Sequence, residues 1–570
     1  MTTVESHNIS LLYIDNQHEF ETMNDETVHN LGLDEFVKDV ASDSKEQQMI
    51  LRILSLVTSS PEVARLRQDI FDDILHLPDV RARLLELLNK IEYLKDYGSW
   101  RKSAEEKPGL WDLLHRMEEI NSYITAVEEM RECLSDPKIK AEGLIALKDY
   151  IDTLYNDSCF AEMKKDTADI KADSASIQSL TIGINLNTRF EAESLGLVSV
   201  NSKQFKKSGI VGNLADAIAA KDRIKEDAGW DGDMHVIPAS IADKESTLNM
   251  LDRGATALNM MQNPLIWSKT TLSTIPDGDG SISTSLYLSN AASKMTGHLV
   301  KKLRSVLSQY TDVSIANISR LIPELIYYIR FAEYIEAKTA EGMRFCKPEV
   351  IDKDSDLLTE AKGFYNLKLI NAVGKADDIV DNDLTFDKDH MIYLLTGANR
   401  GGKTTLTQAI GQLYALAQGG IYVPAGGFRY TPVDMIFTHF PADEDKTTDL
   451  GRLGEECVRF KEIYNGSTSQ SLVLLNETFS TTSFEEGYYI ATDAVRALCQ
   501  KKVRTIYNTH MHKLAADSSG AGNGVTSIVM ATDNGKRSFK AVLMAPEGSS
   551  YAHDIAEKYG VTFEMLTGEK

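Results

Sequence analysis

The sequence predicts a mixed fold in which long helices are interrupted by a small α+β module and followed by a doubly wound α/β domain. Apolar residues recur every three or four positions along 110–127, which is typical of a helix packed along another helix. Short segments at 391–397, 472–475 and 503–510 are predicted to be buried strands, and they alternate with loops and helical patterns. That alternation is typical of a parallel sheet, whose chemistry is expected at the C-terminal ends of the strands.

The order of these patterns predicts five regions. Helical patterns begin near residue 45 and resume near Lys294, and Pro323 is expected in the first turn of the last long helix. Between them, 179–187 and 196–201 alternate with a period of two, as strands do, and 276–283 is rich in turn residues. The predicted regions are an N-terminal segment (1–44), a first helical part (45–174), an inserted module (175–290), a second helical part (291–350) and the α/β domain (351–570).

Composition limits the function classes. The 570 residues include 61 Lys and Arg against 84 Asp and Glu, a net charge of −23. This charge argues against a protein that coats nucleic acid indiscriminately, because such binding depends on Lys and Arg displacing counterions. Residues 171–300 carry 12 basic and 14 acidic side chains, so any contact with a polyanion is expected there.

The sequence predicts neither a disulfide framework nor a zinc site, because its five cysteines stand far apart without a CxxC spacing. It also contains no run of about 18 apolar residues of the kind that crosses a bilayer, and its first residues do not resemble a signal peptide. We therefore expect a cytoplasmic protein without a membrane partner.

The strongest motif is GANRGGKT at 397–404, which fits G-x-x-x-x-G-K-[ST] between a predicted strand and a predicted helix. Glycines let successive N–H groups converge on phosphate oxygens, and the helix N-terminus adds a positive dipole end. Lys403 is expected to reach the β- and γ-phosphates, and the Thr404 hydroxyl to ligate magnesium, so ATP and Mg²⁺ are the predicted cofactors. The candidate nucleotide-binding residues are Gly397, Asn399, Arg400, Gly401, Gly402, Lys403, Thr404 and Thr405.

The sequence around this loop resembles the ATPase core of the MutS mismatch-repair family, which is of the ABC type. After the loop come VPA at 423–425, DMIFT at 434–438, TTSFEEG at 481–487, NTHMHKL at 508–514 and PEGSSYAHDIAEKYG at 546–560. The order of these segments matches that of the family. The resemblance extends more weakly to 65–75 and 324–350, where the family has its core helices.

The resemblance has structural implications. The inserted module corresponds to the family's clamp, which touches the DNA backbone, and the helices correspond to the core and lever arms. We expect the chain to lack the family's N-terminal mismatch-recognition and connector domains, its C-terminal dimerising extension and a Smr nuclease domain. Residues 331–333 spell the Phe-x-Glu of the mismatch reader, but they lie within a helical pattern and are interpreted as an ordinary helix.

Asn476 and Glu477 stand where the family carries Asp-Glu, directly after the apolar run at 472–475. Glu477 keeps the position that orients or deprotonates the attacking water, so the resemblance implies a catalytic role for it. Asn476 replaces the Asp that holds magnesium through a water, and it accepts hydrogen bonds but brings no charge. The candidate metal residues are Thr404, Asn476 and Glu477, and slow turnover is expected.

Two further candidate residues and one apolar pair follow from the resemblance, and a lysine cluster follows from the local charge. His510 stands in the place of a switch histidine that senses the γ-phosphate and is a candidate catalytic residue. Arg452 aligns with a Ser-Thr pair that approaches the partner subunit's γ-phosphate, so it is either a trans phosphate contact or a surface arginine. Ile379 and Val380 replace the aromatic residue that packs on adenine.

Lys203, Lys206 and Lys207 are either DNA contacts or a solvated loop.

Three functions remain open from the sequence. The first is a MutS-like ATPase that works as a homodimer and opens and closes helical arms on DNA, with branched or recombination structures preferred over mismatches. The second is an ATP-gated binding module in which Asn476 permits little hydrolysis. The third is an ATPase that remodels ribosomes or RNA.

Overall fold

The computed structural model divides the chain into two compact units. Unit 1 comprises 1–88, 132–150 and 320–570, and unit 2 comprises 89–131 and 151–319. The residues that the structure describes are 9–13, 20–98, 110–174, 179–186, 188–189, 192–201, 272–274, 297–307, 310, 318, 320–352, 355–373, 376–398, 400–440, 451–518, 524–533, 536–546 and 559–567.

Helices predominate up to residue 340, and strands and helices are interspersed after it in the described chain. The helices are α1 (Asp25–Asn30), α2 (Leu33–Val40), α3 (Ser44–Leu54), α4 (Pro61–His76), α5 (Pro78–Gly98), α6 (Leu110–Cys133), α7 (Glu142–Asn156), α8 (Ser158–Ser174), α9 (Gly297–Leu307), α10 (Ile322–Ala340), α11 (Lys368–Ala372), α12 (Lys403–Gln418), α13 (Gly451–Gly466), α14 (Phe484–Lys501), α15 (His512–Ser518) and α16 (Phe563–Thr567). The strands are β1 (Glu21–Thr22), β2 (Leu56–Val57), β3 (Ser179–Leu186), β4 (Ala192–Asn201), β5 (Leu272–Thr274), β6 (Glu349–Val350), β7 (Leu357–Phe364), β8 (Asn382–Asp387), β9 (Ile392–Gly397), β10 (Gly427–Tyr430), β11 (Ile436–His439), β12 (Leu472–Asn476), β13 (Arg504–Asn508), β14 (Val525–Asp533) and β15 (Lys536–Leu543).

A six-stranded sheet forms the centre of unit 1, with strand order β11-β12-β13-β9-β14-β15. The first five strands are parallel, and β15 pairs antiparallel with β14 at the edge. Every residue of β9, β12 and β13 is buried, as expected for strands covered on both faces. The predicted strands at 391–397, before Asn476 and at 503–510 are therefore confirmed.

A second, four-stranded sheet in unit 1 has the order β6-β10-β7-β8. In this sheet β10 pairs parallel with β6 and antiparallel with β7, which also pairs antiparallel with β8. Helix α11 and a short 3₁₀ helix at Ala376–Asp378 connect β7 to β8.

The N-terminal helices α1 and α2 pack onto the α/β domain, which the sequence did not predict. The Asn30 side chain donates to the Thr438 hydroxyl at 3.0 Å, and Gln412 of α12 donates to the Leu31 carbonyl oxygen at 2.7 Å. A Cβ added at Gly411 would lie 2.4 Å from the Leu31 side chain, so only glycine permits this close approach. The segment near residue 30 is thus tied to the helix that follows the phosphate loop.

Helix α10 confirms two predictions. Pro323 lies in its first turn, where the missing N–H removes no helical hydrogen bond. Phe331 is fully buried inside the helix, with its ring 5.1 Å from that of Tyr327 in a T-shaped contact. The Phe-x-Glu at 331–333 is therefore a helix segment packed in a core.

Unit 2 contains helices and a small antiparallel sheet with strand order β3-β4-β5. Strands β3 and β4 confirm the two strands predicted in the inserted module. The Tyr310 hydroxyl donates to Asp166 of α8 at 2.8 Å, and Arg131 of α6 donates to Asp152 of α7 at 2.6 Å. The predicted loop at 276–283 and the basic trio Lys203, Lys206 and Lys207 lie outside the described residues.

Within the part of the chain that the structure describes, no helix combines the length and the apolar character needed to cross a membrane.

Candidate nucleotide site

The C-terminal ends of three adjacent parallel strands bring polar side chains to one edge of the sheet. Strand β13 lies between β12 and β9, with Asn508 in register with Asn476 on one side and with Leu395 on the other. Strand β9 ends two residues further on, at Gly397, where the phosphate loop begins. Parallel pairing therefore places the phosphate loop beside the residues that end β12 and β13.

Glycine conformations shape the phosphate loop. Gly397 and Gly402 have φ angles of 133° and 94°, which side-chain-bearing residues rarely adopt. A Cβ added at Gly397 would lie 3.0 Å from the Cβ of Met530 on β14. Arg400 adopts a positive φ of 59°, and α12 begins directly after Gly402. The loop thus curls tightly before a helix N-terminus, as anion-binding loops do.

The Lys403 ammonium lies inside this loop. Its side chain is buried, and Nζ donates to the carbonyl oxygens of Gly397 and Ala398 at 3.1 and 3.2 Å. Burial lowers the pKa of Lys403, and the nearby Glu477 carboxylate opposes this shift. A phosphate group at the loop would supply the negative charge that favours the protonated ammonium.

Two asparagines line one side of the phosphate loop. The Thr404 hydroxyl donates to Asn476 Oδ1 at 3.1 Å, and the side-chain amide of Asn508 donates to the same oxygen. Asn508 Nδ2 also lies 3.5 Å from the Thr404 hydroxyl. Asn476 and Asn508 are buried, and Asn508 Oδ1 has no hydrogen-bond partner among the described residues. We call these two residues the amide pair.

Glu477 and His510 form a charged pair next to the amide pair. Glu477 has a φ of 54° and donates its N–H to the Asn508 carbonyl oxygen at 2.8 Å. Its carboxylate lies 2.7 Å from His510 Nε2. The hydrogen bond from His510 is the main cause that lowers the pKa of Glu477, while partial burial opposes it. An ionised carboxylate oriented in this way fits the role of a general base.

A cavity of about 450 Å³ adjoins the phosphate loop. Residues 400–405 and Glu477 line one end of it, and Ile379 and Val380 line it as well. Phe364 and Phe539 add aromatic surface that the sequence did not predict, because both come from strands distant in the chain. A polar phosphate end and an apolar end suit a nucleotide.

Two family models match this chain. The model described as MutS domain V matches residues 393–567, and the model described as MutS2 N-terminal domain matches residues 59–339. The chain belongs to the MutS family. The match to the MutS2 N-terminal domain makes it a MutS protein of the MutS2 kind.

Individual MutS proteins resemble part of the chain. It is 30% identical to the DNA mismatch repair protein MutS of Chlorobium phaeobacteroides over 237 residues, which are 41% of this chain and 27% of that protein. It is 27% identical to the MutS of Lactobacillus delbrueckii subsp. bulgaricus over 271 residues, which are 47% of this chain and 30% of that protein. It is 37% identical to the DNA mismatch repair protein Msh6 of Gallus gallus over 153 residues, 25% of this chain and 11% of that protein. The matches therefore span less than a third of these relatives.

The structure brings together most of the residues that the MutS resemblance singled out. Gly401, Gly402, Thr405 and Arg400 line the cavity together with Lys403, Thr404 and Glu477, and His510 and Asn476 contact that set. Asn399 lies outside the described residues. Arg452 is exposed in the first turn of α13 and does not line the cavity.

Asn508 is the residue that sequence reasoning missed in this MutS site. The signal was available, because Asn508 is a polar residue at the C-terminal end of the predicted parallel strand at 503–510. Asn476 also ends a predicted strand, but it was singled out because it replaces the family's Asp. The resemblance drew attention to His510 instead, two residues further along the chain.

The oxygen atoms at this edge fit magnesium bound together with nucleotide phosphates. Magnesium prefers oxygen ligands and usually retains several waters. The Thr404 hydroxyl supplies one such oxygen beside the phosphate loop, and the Asn476 Oδ1 atom to which it donates supplies a second. Neutral amides attract a divalent ion less than a carboxylate does, so the phosphates would provide most of the negative charge.

Proposed function

We propose that this chain is a MutS-like ATPase that binds ATP with magnesium at the phosphate loop. The observation that carries the proposal is that Lys403, Thr404 and Glu477 line one cavity, with His510 in contact with Glu477 at 2.7 Å. Lys403 and the loop N–H groups hold phosphate oxygens, and the Thr404 hydroxyl contributes an oxygen to the metal. Magnesium, when bound, neutralises part of the phosphate charge.

Glu477 is the proposed general base, with His510 orienting it. The carboxylate accepts a proton from the attacking water, and the hydrogen bond at 2.7 Å holds it in place and favours its ionised form. Ile379 and Val380 add apolar surface to the cavity, which suits the base of the nucleotide.

A second candidate function is favoured by Asn476. Because this residue brings no negative charge to the metal side, ATP binding alone could set the state of the protein, with little hydrolysis. Asn476→Asp restores a carboxylate at a buried position that already accepts from Thr404. We expect the parent to hydrolyse ATP slowly and Asn476→Asp to hydrolyse it faster.

The remaining parts of the proposal come from the family. We propose a homodimer in which Arg452 approaches the partner subunit's phosphate, while the helices of unit 2 act as arms and the inserted module contacts DNA. Support comes from the relatives, which are named as DNA mismatch repair proteins, and from the near balance of charge in 171–300. Lys203, Lys206 and Lys207 are the proposed DNA contacts, with branched structures preferred over mismatches.

Nucleotide binding is tested with Lys403→Ala and the exposed Lys461→Ala as a matched control. Charge-assisted hydrogen bonds are worth about 1.5–3 kcal/mol, so Lys403→Ala should weaken binding of a fluorescent ATP analogue roughly 10- to 100-fold. Equal affinity of both variants would contradict the proposal.

The ligand is tested separately with duplex DNA, a four-way junction and ribosomes, each with and without ATP. Preference for the junction supports the DNA proposal. If the chain binds every DNA form equally weakly, the DNA proposal is wrong. If it binds only ribosomes, the remodelling function replaces the DNA proposal.

A further inference from the structure

The three residues 477–479, which we call the base loop, have an unusual backbone conformation. Glu477 and Phe479 have φ angles of 54° and 65°, although neither residue is a glycine. Residues with a side chain pay a steric cost in this left-handed region, and they persist there only where surrounding contacts fix them. Because Phe479 is two residues from Glu477, contacts that fix Phe479 also constrain the proposed base.

The core of unit 1 fixes one side of the base loop. The ring of Phe479 is 1% exposed and belongs to an apolar core formed with β12, β13, α14 and α15. The carbonyl oxygen of Phe479 lies so close to α14 that a Cβ added at Gly487 would be 2.5 Å away. The Tyr507 hydroxyl donates to the carbonyl oxygen of Thr478. The side chain and the main chain of the loop are thus both held by this core.

Helix α13 holds the Phe479 ring from another direction. Four of its residues recur at helical spacing and pack against the same core, namely Leu453, Cys457, Phe460 and Tyr464. The Phe460 ring meets the Phe479 ring edge to face, with centroids 5.5 Å apart and an angle of 66° between the planes. Such aromatic pairs prefer this geometry, so the contact favours one position of the Phe479 ring.

The position of the base loop matters for hydrolysis because a general base acts only within hydrogen-bond reach of the attacking water. A displacement of about 1 Å at a reacting group can reduce the rate roughly 100-fold. The side chain of Glu477 is 35% exposed, and its carboxylate lies 2.7 Å from the ring of His510. A largely solvated carboxylate with this contact depends on its backbone for the rest of its orientation.

We propose that Phe460 is a positioning residue for hydrolysis, because its ring holds Phe479, and Phe479 keeps Glu477 in the left-handed conformation that places the carboxylate at His510 and in the cavity. This inference rests on the proposed ATPase function and adds α13 to the elements that determine its rate. Phe460 is not among the residues that line the described cavity. The ring at position 460 should therefore affect kcat and leave nucleotide binding unchanged.

The test measures kcat and KM for ATP, together with the affinity for a fluorescent ATP analogue. Phe460→Leu removes the edge-to-face contact and should lower kcat roughly 10- to 100-fold, with KM and the affinity unchanged. Phe460→Tyr keeps the ring at this half-buried position and should retain the kcat of the parent. Tyr464→Leu is the matched control. It removes a ring from the same face of α13, but that ring lies 4.5 Å from Lys501 Nζ, so kcat should stay close to that of the parent.

The outcomes separate the inference from the proposed function. If the parent hydrolyses ATP and Phe460→Leu keeps its kcat, the inference is wrong and the ATPase function stands. The same conclusion follows if Tyr464→Leu or Phe460→Tyr loses as much kcat as Phe460→Leu, because the ring then contributes only general packing. A parent that binds the analogue without hydrolysing ATP overturns both. If circular dichroism shows that Phe460→Leu does not fold, Phe460→Met takes its place with the same expected results, since methionine keeps most of the volume without the ring.

Discussion

The amide pair and the charged pair lie side by side, yet they differ in burial and in charge. Asn476 is 8% exposed and ends its strand in a neutral hydrogen-bond network. The side chain of the next residue, Glu477, is 35% exposed and carries a carboxylate beside His510. The φ of 54° at Glu477 turns the chain out of the strand between them. Holding the metal and activating water are thus assigned to different environments within two consecutive residues.

In the proposed site, binding and hydrolysis depend on different side chains. The amide pair lies on the proposed metal side and brings no charge. The charged pair carries the group that would accept a proton. Substitutions in the amide pair should therefore change the affinity for nucleotide and metal. Substitutions in the charged pair should change the rate of hydrolysis.

The largest effect is expected from Glu477→Gln. The amide keeps the shape and the acceptor for His510 but has no carboxylate to accept a proton, so single-turnover hydrolysis should fall roughly 10²- to 10⁴-fold. Affinity for ATP should change little, because Lys403 and the loop remain. Glu462→Gln on the exposed side of α13 is the control. A comparable loss of affinity would show that the two sides are not separable.

A smaller effect concerns His439, which lies under the charged pair. Its ring is 2% exposed, with Nδ1 at 2.9 Å from the hydroxyl of Thr478, the residue after Glu477. Burial lowers the pKa of His439 to about 4. Between this value and the ordinary 6.5, the unfolded chain binds more protons than the folded one, so His439 reduces the free energy of unfolding as the pH falls.

The measurement is urea unfolding at pH 7 and pH 5. His439 should account for roughly 2 kcal/mol of the difference in unfolding free energy between these pH values, and His439→Asn should remove that part. A parent and a His439→Asn variant with the same pH dependence would mean that His439 is hydrated in solution.

The strands and the phosphate loop were predictable because their signals are local. The apolar runs of β9 and β12 match strands buried on both faces, and the glycines of the loop mark positions that need a positive φ. Parallel pairing then allowed the sequence to predict that residues ending these strands lie close together.

Contacts between distant segments were not predictable. The packing of Asn30 and Leu31 against α12 depends on tertiary structure, and the residues near position 30 carry no local motif for it. Phe539 lies in the edge strand β15, lines the cavity and has a φ of 57°. The residue type alone indicates neither the position nor the φ angle. The hydrogen bonds of Asn508 required the register between β12 and β13 as well as the identities of both residues.

The smallest and most specific effect is expected from His510→Ala, measured as the dependence of kcat/KM on pH. Glu477 must be ionised to act as a base, so activity falls as the pH drops through its pKa. The hydrogen bond from His510 is the main cause that lowers this pKa, and Lys403 contributes further. Without His510, the acidic limb of the profile should therefore move to higher pH.

His510→Gln keeps a neutral N–H donor within reach of the carboxylate and should move the limb less than His510→Ala does. If the acidic limb stays at the same pH in both variants while activity falls, the titrating group is not Glu477. His510 would then act only as a phosphate sensor.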